Sequence, residues 1–290
     1  MRLGIFAKTF SAIGAKPSLQ AVADAGYAGA QFNLACLGLP SMPDAIEPGV
    51  AEAIGAAARQ TCVAIEAVSG TYNMIHPDVS VRDKGMARLE VLCAAAPAMG
   101  TRLVTLCTGT RDAEDQWRGH PDNATPEAWR DLCAEMAKAL AIAERYGVDL
   151  GIEPELANVV SSARDARKLI DAMASPRLRV VLDPANLFEV AEPAERRRLV
   201  DEAVDLLGEN IAMAHAKDRD PQGGFTAAGS GVIDFPHFVK RLRCAGFDGP
   251  LVTHGLTEAE AKGVAVYLRG VLGETDGASA ATGGPGSGGR

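Results

Sequence analysis

Residues 179–186 read RVVLDPAN. Val180 to Leu182 form a short apolar run, Asp183 ends it, and Pro184 has no N–H with which to continue a ladder. A run this short, with no polar alternation, fits a strand buried on both faces, as in a parallel sheet covered by helices. The same design recurs along the chain. LGIF (3–6), AGAQFNL (28–34), CVAIEAV (62–68), RLVTLC (102–107), VDLGIE (148–153), NIAMAHA (210–216) and PLVTH (250–254) are runs of the same kind. Between them lie Ala-rich segments with Leu, Ile and Met at helical spacing, such as 51–60 and 127–147. Eight strand–helix units predict a closed (β/α)8 TIM barrel of the α/β class, one domain over residues 1–272. A doubly wound open sheet is the alternative. It usually carries a phosphate loop after its first strand, and FAKTFSAIGAKP has no GxGxxG.

Composition narrows the function classes. Of 290 residues, 47% are hydrophobic, enough for a large core, and the formal charge is −8. An acidic chain is poorly suited to following a phosphate backbone, so nucleic acid is not expected as a partner. The six cysteines form no CxxC pair and read as reduced, structural residues. MRLGIFAKTF looks like a first strand, not a signal peptide, and no stretch reaches the ~18 apolar residues of a membrane helix. A cytoplasmic location and no membrane partner are expected. Residues 273–290, rich in Gly, Ser and Ala, read as a disordered tail.

In a barrel, chemistry gathers where strands end at their C-terminal side. Four successive runs end in GIEPE, VVLDPAN, MAHAKD and LVTHG, placing Glu153, Asp183, His215 and His254 at equivalent positions. Alternation along a strand puts Gly151 with Glu153, Val181 with Asp183, and Met213 with His215 and Lys217 on one face. Two carboxylates and two imidazoles converging in a nearly dry mouth would be costly if left unpaired. A divalent cation satisfies all four, and oxygen and nitrogen donors without thiolate suit Mn²⁺, Mg²⁺, Co²⁺ or Zn²⁺.

GIEPELANVV, VVLDPANL, AHAKD, AAGSGVIDFPHF and GFDGPLVTHGL together resemble the sugar phosphate isomerase/epimerase family, the xylose isomerase-like TIM barrels. The resemblance runs from Gly4 to about Leu272 and is most specific at His215-Ala-Lys217-Asp218 and Gly229-Ser-Gly231-Val-Ile-Asp234-Phe235. It implies metal ligation by Glu153, Asp183 and His215. The fourth family ligand is typically a Glu ending the last strand, and that position here is His254. In the family's ketose epimerases the first and last glutamates also move protons on opposite faces of the substrate, so His254 removes one carboxylate base.

The resemblance implies a metal-dependent isomerase or epimerase acting on a sugar or polyol-derived carbonyl compound through an enediolate. Glu153 would be its base, and His254 a ligand or an acid. Expulsion of a β-hydroxyl from the same enediolate would make it a dehydratase of an inosose- or dehydroshikimate-like substrate. A non-catalytic sugar-binding protein is a third reading. A DNA-repair nuclease on the same barrel is disfavoured by charge and by a total of five histidines.

Substrate-binding candidates are Tyr72 and His76 after the third run, Trp117 and His120 in the long polar loop after the fourth, and Asn186, Lys217 and Arg219. Lys8 and Glu66 are weaker candidates, and His237 reads as structural. Homo-oligomerisation is left open by the sequence.

Overall fold

The computed structural model describes residues 1–273. The apolar runs become β1 (Arg2–Phe6), β2 (Gly29–Phe32), β3 (Ala64–Ser69), β4 (Leu103–Cys107), β5 (Asp149–Glu153), β6 (Leu178–Leu182), β7 (Ile211–Ala216) and β10 (Pro250–Thr253). Two short strands between them, β8 (Asp218–Arg219) and β9 (Phe225–Thr226), form a separate antiparallel ribbon. The eight long strands close into a parallel barrel in the order β1-β10-β7-β6-β5-β4-β3-β2. Closure leaves no exposed edge, and every strand is covered from outside by helices.

The crossovers are α1 (Ala15–Asp24), α2 (Val50–Thr61), α3 (Val79–Met99), α4 (Pro126–Tyr146), α5 (Ala163–Met173), α6 (Pro193–Leu207) and α7 (Phe235–Cys244), and α8 (Ala261–Leu272) follows the last strand. Local chemistry sets their ends. Thr125 caps α4 by accepting from Ala128 N, with Pro126 at the first helical position. Ser162 and Asp234 cap α5 and α7 in the same way.

Two apolar clusters follow from strand alternation. The large one lies between the strands and the helices. The small one, Ala67, Leu103, Val181, Met213 and Val252, fills the barrel bore. Val181 and Met213 in the bore place Asp183 and His215, two residues on, above that plug at the C-terminal mouth.

The tail expected over residues 273–290 lies, from residue 274 on, outside the described residues. Among the described residues, no helix is long and apolar enough to cross a membrane. The β8–β9 ribbon is absent from the pattern of apolar runs, because two-residue strands carry no periodicity.

Candidate metal and substrate site

Glu153 ends β5, Asp183 follows β6, His215 lies in β7 and His254 follows β10. One donor atom from each, all four within 4.8 Å of one another, forms a group able to hold a metal ion. Asp183 and His215 are each 1% exposed, so neither can rely on water to satisfy its polar atoms.

Each side chain is held from behind. Ala185 N donates to Asp183 Oδ1 at 2.9 Å, a turn set by Pro184. The other oxygen, Oδ2, lies 3.2 Å from His254 Nε2 and 3.3 Å from Lys217 Nζ. Asn186 Nδ2 donates to Glu153 Oε1 at 2.8 Å, and Lys217 Nζ donates to Asn186 Oδ1 at 3.1 Å.

Behind His215 stands Gln31, at the mouth end of β2. Its Oε1 faces His215 Nε2 at 2.9 Å, while its Nε2 donates to Thr105 Oγ1 at 3.0 Å and Ser69 Oγ at 3.2 Å. With the amide so engaged, His215 donates from Nε2 and presents the Nδ1 lone pair to Glu153 Oε1, 3.2 Å away. Two acceptors facing each other need a cation between them, either a proton or a metal. That is the main indication that these residues fit a dication. Two carboxylates with two neutral imidazoles also carry the matching charge.

Electrostatics favour this ionisation. Burial pushes Glu153 upward, but with a proton between it and His215, that positive charge and then Lys217 outweigh burial and hold the carboxyl below its ordinary range. Burial is likewise overcome at Asp183, chiefly by Lys217 and the hydrogen bond to His254, leaving it well below the usual carboxylate value. At His254, burial and the nearby His215 lower the pKa and favour the neutral imidazole a metal requires. Lys217 is raised: burial opposes its charge, but Asp183 and Glu153 more than compensate.

The group lies at the floor of a cavity of about 910 Å³ at the barrel mouth. Asn186, Lys217, Arg219 and Trp117 line it, as does Lys8. Tyr72 and His76 border a neighbouring cavity of about 700 Å³ instead. Tyr72 is buried, its hydroxyl 3.7 Å from Met86 Sδ, and His76 turns Nε2 toward Ala113 O at 3.0 Å. His120 caps the short 3-10 turn Pro121–Ala124 by accepting from Asp122 N, and lines neither cavity. Glu66 pairs with Arg2, at the start of β1, away from the mouth. His237 binds Asp201 at 2.8 Å.

Several residues of the mouth carry no obvious signal in the sequence. Gln31 is a polar residue inside an apolar strand, and that anomaly was the available clue. Glu155, two residues past Glu153, also lines the cavity, where burial and the Glu153 charge push it up to about 8. Phe225, on β9, lies under two cations, with Lys217 Nζ 4.0 Å and Arg219 Cζ 4.1 Å from the ring centroid. Arg219 Nε also donates to Ala185 O at 2.6 Å, tying the ribbon to the Asp183 turn.

Asp218 is the anchor of the glycine-rich loop. Its Oδ2 accepts from Gly229 N and Gly231 N, both at 3.0 Å, and its Oδ1 from Arg219 N and Ile233 N, both at 2.9 Å. A Cβ at Gly231 would meet Arg219 O at 2.1 Å, and Gly229 has φ +87°, so both positions require glycine.

The closed eight-stranded barrel is that of the xylose isomerase-like TIM barrels. The profile of that family matches residues 19–268, and the chain belongs to it. Among solved structures, the 3-keto-D-glucoside 4-epimerase of E. coli is similar at 18% identity, covering 93% of this chain and 99% of that one, with a TM-score of 0.70. An L-ribulose 3-epimerase is similar at 18% identity, covering 94% of each chain, with a TM-score of 0.72. The IOLI protein, solved with a zinc atom, is similar at 16% identity, covering 94% of this chain and 99% of that one, with a TM-score of 0.72. At these identities the likeness is one of fold. No curated protein matches the chain.

Proposed function

We propose that this protein is a divalent-metal-dependent isomerase or epimerase of a small sugar or polyol-derived carbonyl compound. The observation that carries this reading is the convergence of Glu153, Asp183, His215 and His254 within 4.8 Å at the floor of the mouth cavity. The similar structures named as sugar epimerases, and the one named with zinc, support the same reading.

Glu153, Asp183, His215 and His254 would hold the ion, which when bound supplies Lewis acidity toward a substrate carbonyl. Glu153 is the base that takes the proton from the carbon beside that carbonyl, giving an enediolate. Its lowered pKa keeps it ionised at neutral pH, and Asn186 fixes its orientation at 2.8 Å. Lys217, held between Asn186 and Asp183, offers its ammonium to a substrate hydroxyl or to the developing oxyanion. Return of the proton to the other face or to the neighbouring carbon completes epimerisation or isomerisation.

The test is proton exchange in D₂O with protein loaded in turn with Mn²⁺, Co²⁺, Mg²⁺ or Zn²⁺, on a panel of ketoses and cyclic polyol-derived ketones. The expected result is deuterium incorporated beside the carbonyl, together with an epimer or isomer. A product lacking one water would assign the enzyme to the dehydratases. Metal uptake without exchange on any panel member would leave a binding protein.

A further inference from the structure

The mouth cavity does not end at the metal group. A second cavity of about 700 Å³ lies beside it, and Ser41, Thr71, Gln116 and Trp117 form walls of both. Pockets that enclose drug-sized ligands run to roughly 300–1,000 Å³. The 910 Å³ mouth alone therefore has ample room for a single small sugar, and the second cavity is additional space adjoining it.

Trp117 stands at the junction and is 53% exposed. Its loop is not loose. Asp115 Oδ1 accepts from Trp117 N at 2.9 Å, and Arg118 Nε donates to Asp112 Oδ2 at 2.5 Å on the other side. Asn123 Nδ2 donates to Ala157 O at 2.9 Å, tying the loop to the segment after β5. A large aromatic held on a pinned loop, yet left open to solvent between two cavities, gains its contact area only when something lies against it.

The second cavity indicates what that is. Its apolar walls include Met42, Tyr72 and Val81. Its charges are mixed: Arg88 Nε donates to Asp44 at 2.7 Å, and Lys84 shares the cavity with Glu114 and Asp115. Among the described residues its cations, Lys84 and Arg88, are balanced by Asp112, Glu114, Asp115 and Asp44, unlike the clustered cations that recognise a phosphate. The walls suit an uncharged, polyhydroxylated unit with an apolar ring face.

We propose that the substrate is a two-unit glycoside, with the reacting sugar over the metal group and an uncharged second ring stacked on Trp117 in the adjoining cavity. This rests on the function proposed above and names its substrate class.

The experiment is equilibrium binding of full-length, Mn²⁺-loaded protein to maltose, cellobiose, maltulose and isomaltulose, disaccharides with a free carbonyl end, each against D-glucose and D-fructose. Calorimetry reports affinity and tryptophan emission reports contact with the indole. At least one disaccharide should bind more tightly than its constituent monosaccharides and shift the emission. Trp117→Ala should weaken that disaccharide roughly tenfold more than it weakens the constituent monosaccharides, as expected for loss of one stacked ring. Trp117→Phe should restore most of it. Monosaccharide binding with no disaccharide advantage would overturn this proposal and leave the function standing, as would equal losses for both ligand sizes in Trp117→Ala. Failure of every disaccharide to bind would likewise overturn this proposal, whereas the function itself is overturned by the absence of exchange on the ketose and polyol-ketone panel.

Discussion

His254 Nε2 lies 3.2 Å from Asp183 Oδ2, across β7 from the strand that precedes Asp183. The two polar atoms stand within hydrogen-bond distance along the line where a cation would join them. An imidazole at the end of β10 thus reaches the carboxylate that follows β6. His254→Ala should weaken Mn²⁺ or Zn²⁺ binding by at least ~10–100-fold, the scale of losses seen even for groups that only orient ligands. His254→Glu should retain binding, because the donor is restored and the added negative charge attracts the cation. Calorimetric titration of metal-free protein with each ion decides between them.

Glu153→Gln keeps the shape of the side chain and removes its basicity. The amide retains a contact with Asn186 after rotation, so the fold should be kept, with circular dichroism and melting temperature close to the parent. Turnover on whichever substrate the exchange assay identifies should fall by ~10²–10⁴-fold, the usual worth of a positioned base. Normal turnover by this variant would remove Glu153 from proton transfer.

Much of this arrangement is legible in the sequence, and physics says why. The eight apolar runs declare the barrel because strands buried on both faces leave an unbroken hydrophobic signature. Parity then places Asp183 above Val181 and His215 above Met213, and both apolar partners do lie in the bore. Depth along a loop is harder to read. Tyr72 and His76 follow β3 as Asp183 follows β6, yet both turn to the adjoining cavity, and His120 spends its ring on a helix cap. Single histidines in loops are fixed by local hydrogen bonds that no periodicity reveals. Gln31 went unassigned for the opposite reason, since its partner His215 lies 184 residues away.

Gln31 offers the next prediction. Its amide fixes which nitrogen of His215 carries the proton, and Ser69 and Thr105 fix the amide. Gln31→Leu fills similar space but frees the imidazole to rotate or to protonate on Nδ1. Metal affinity should drop ~10–100-fold, and the metal-free protein should also melt lower, because His215, Ser69 and Thr105 lose their buried partner. A variant that binds metal as the parent does would show that His215 is oriented by packing alone.

Acid should loosen the metal-free protein through the same group. Burial and His215 depress the His254 pKa, so the folded state prefers the neutral ring while the unfolded chain takes a proton near the ordinary pH of about 6.5. Below that value the unfolded state binds more protons, and stability falls as pH falls. Asp183 and Glu153, both depressed, act in the same direction but at lower pH, below the ordinary carboxylate range. Melting temperature should therefore decline from about pH 6.5 downward in the parent. In His254→Gln that first decline should be absent and only the carboxylate step should remain.

Asp218 should matter more for stability than for any contact with substrate. It is completely buried and accepts four backbone N–H groups, three of them from residues 229–233. Asp218→Ala leaves all four donors without a partner, where each unsatisfied buried group costs ~1–3 kcal/mol before relaxation. Partial rearrangement and entry of water should reduce the total to about 3–5 kcal/mol, read as a lower urea midpoint with an unchanged slope. Asp218→Asn keeps one acceptor oxygen and turns a donor toward the remaining N–H groups, so it should fall between the two. Because Lys217 and Arg219 flank the anchor, either variant should also lose turnover in excess of its loss of metal affinity. A variant as stable as the parent would mean the glycine loop holds itself in place without the carboxylate.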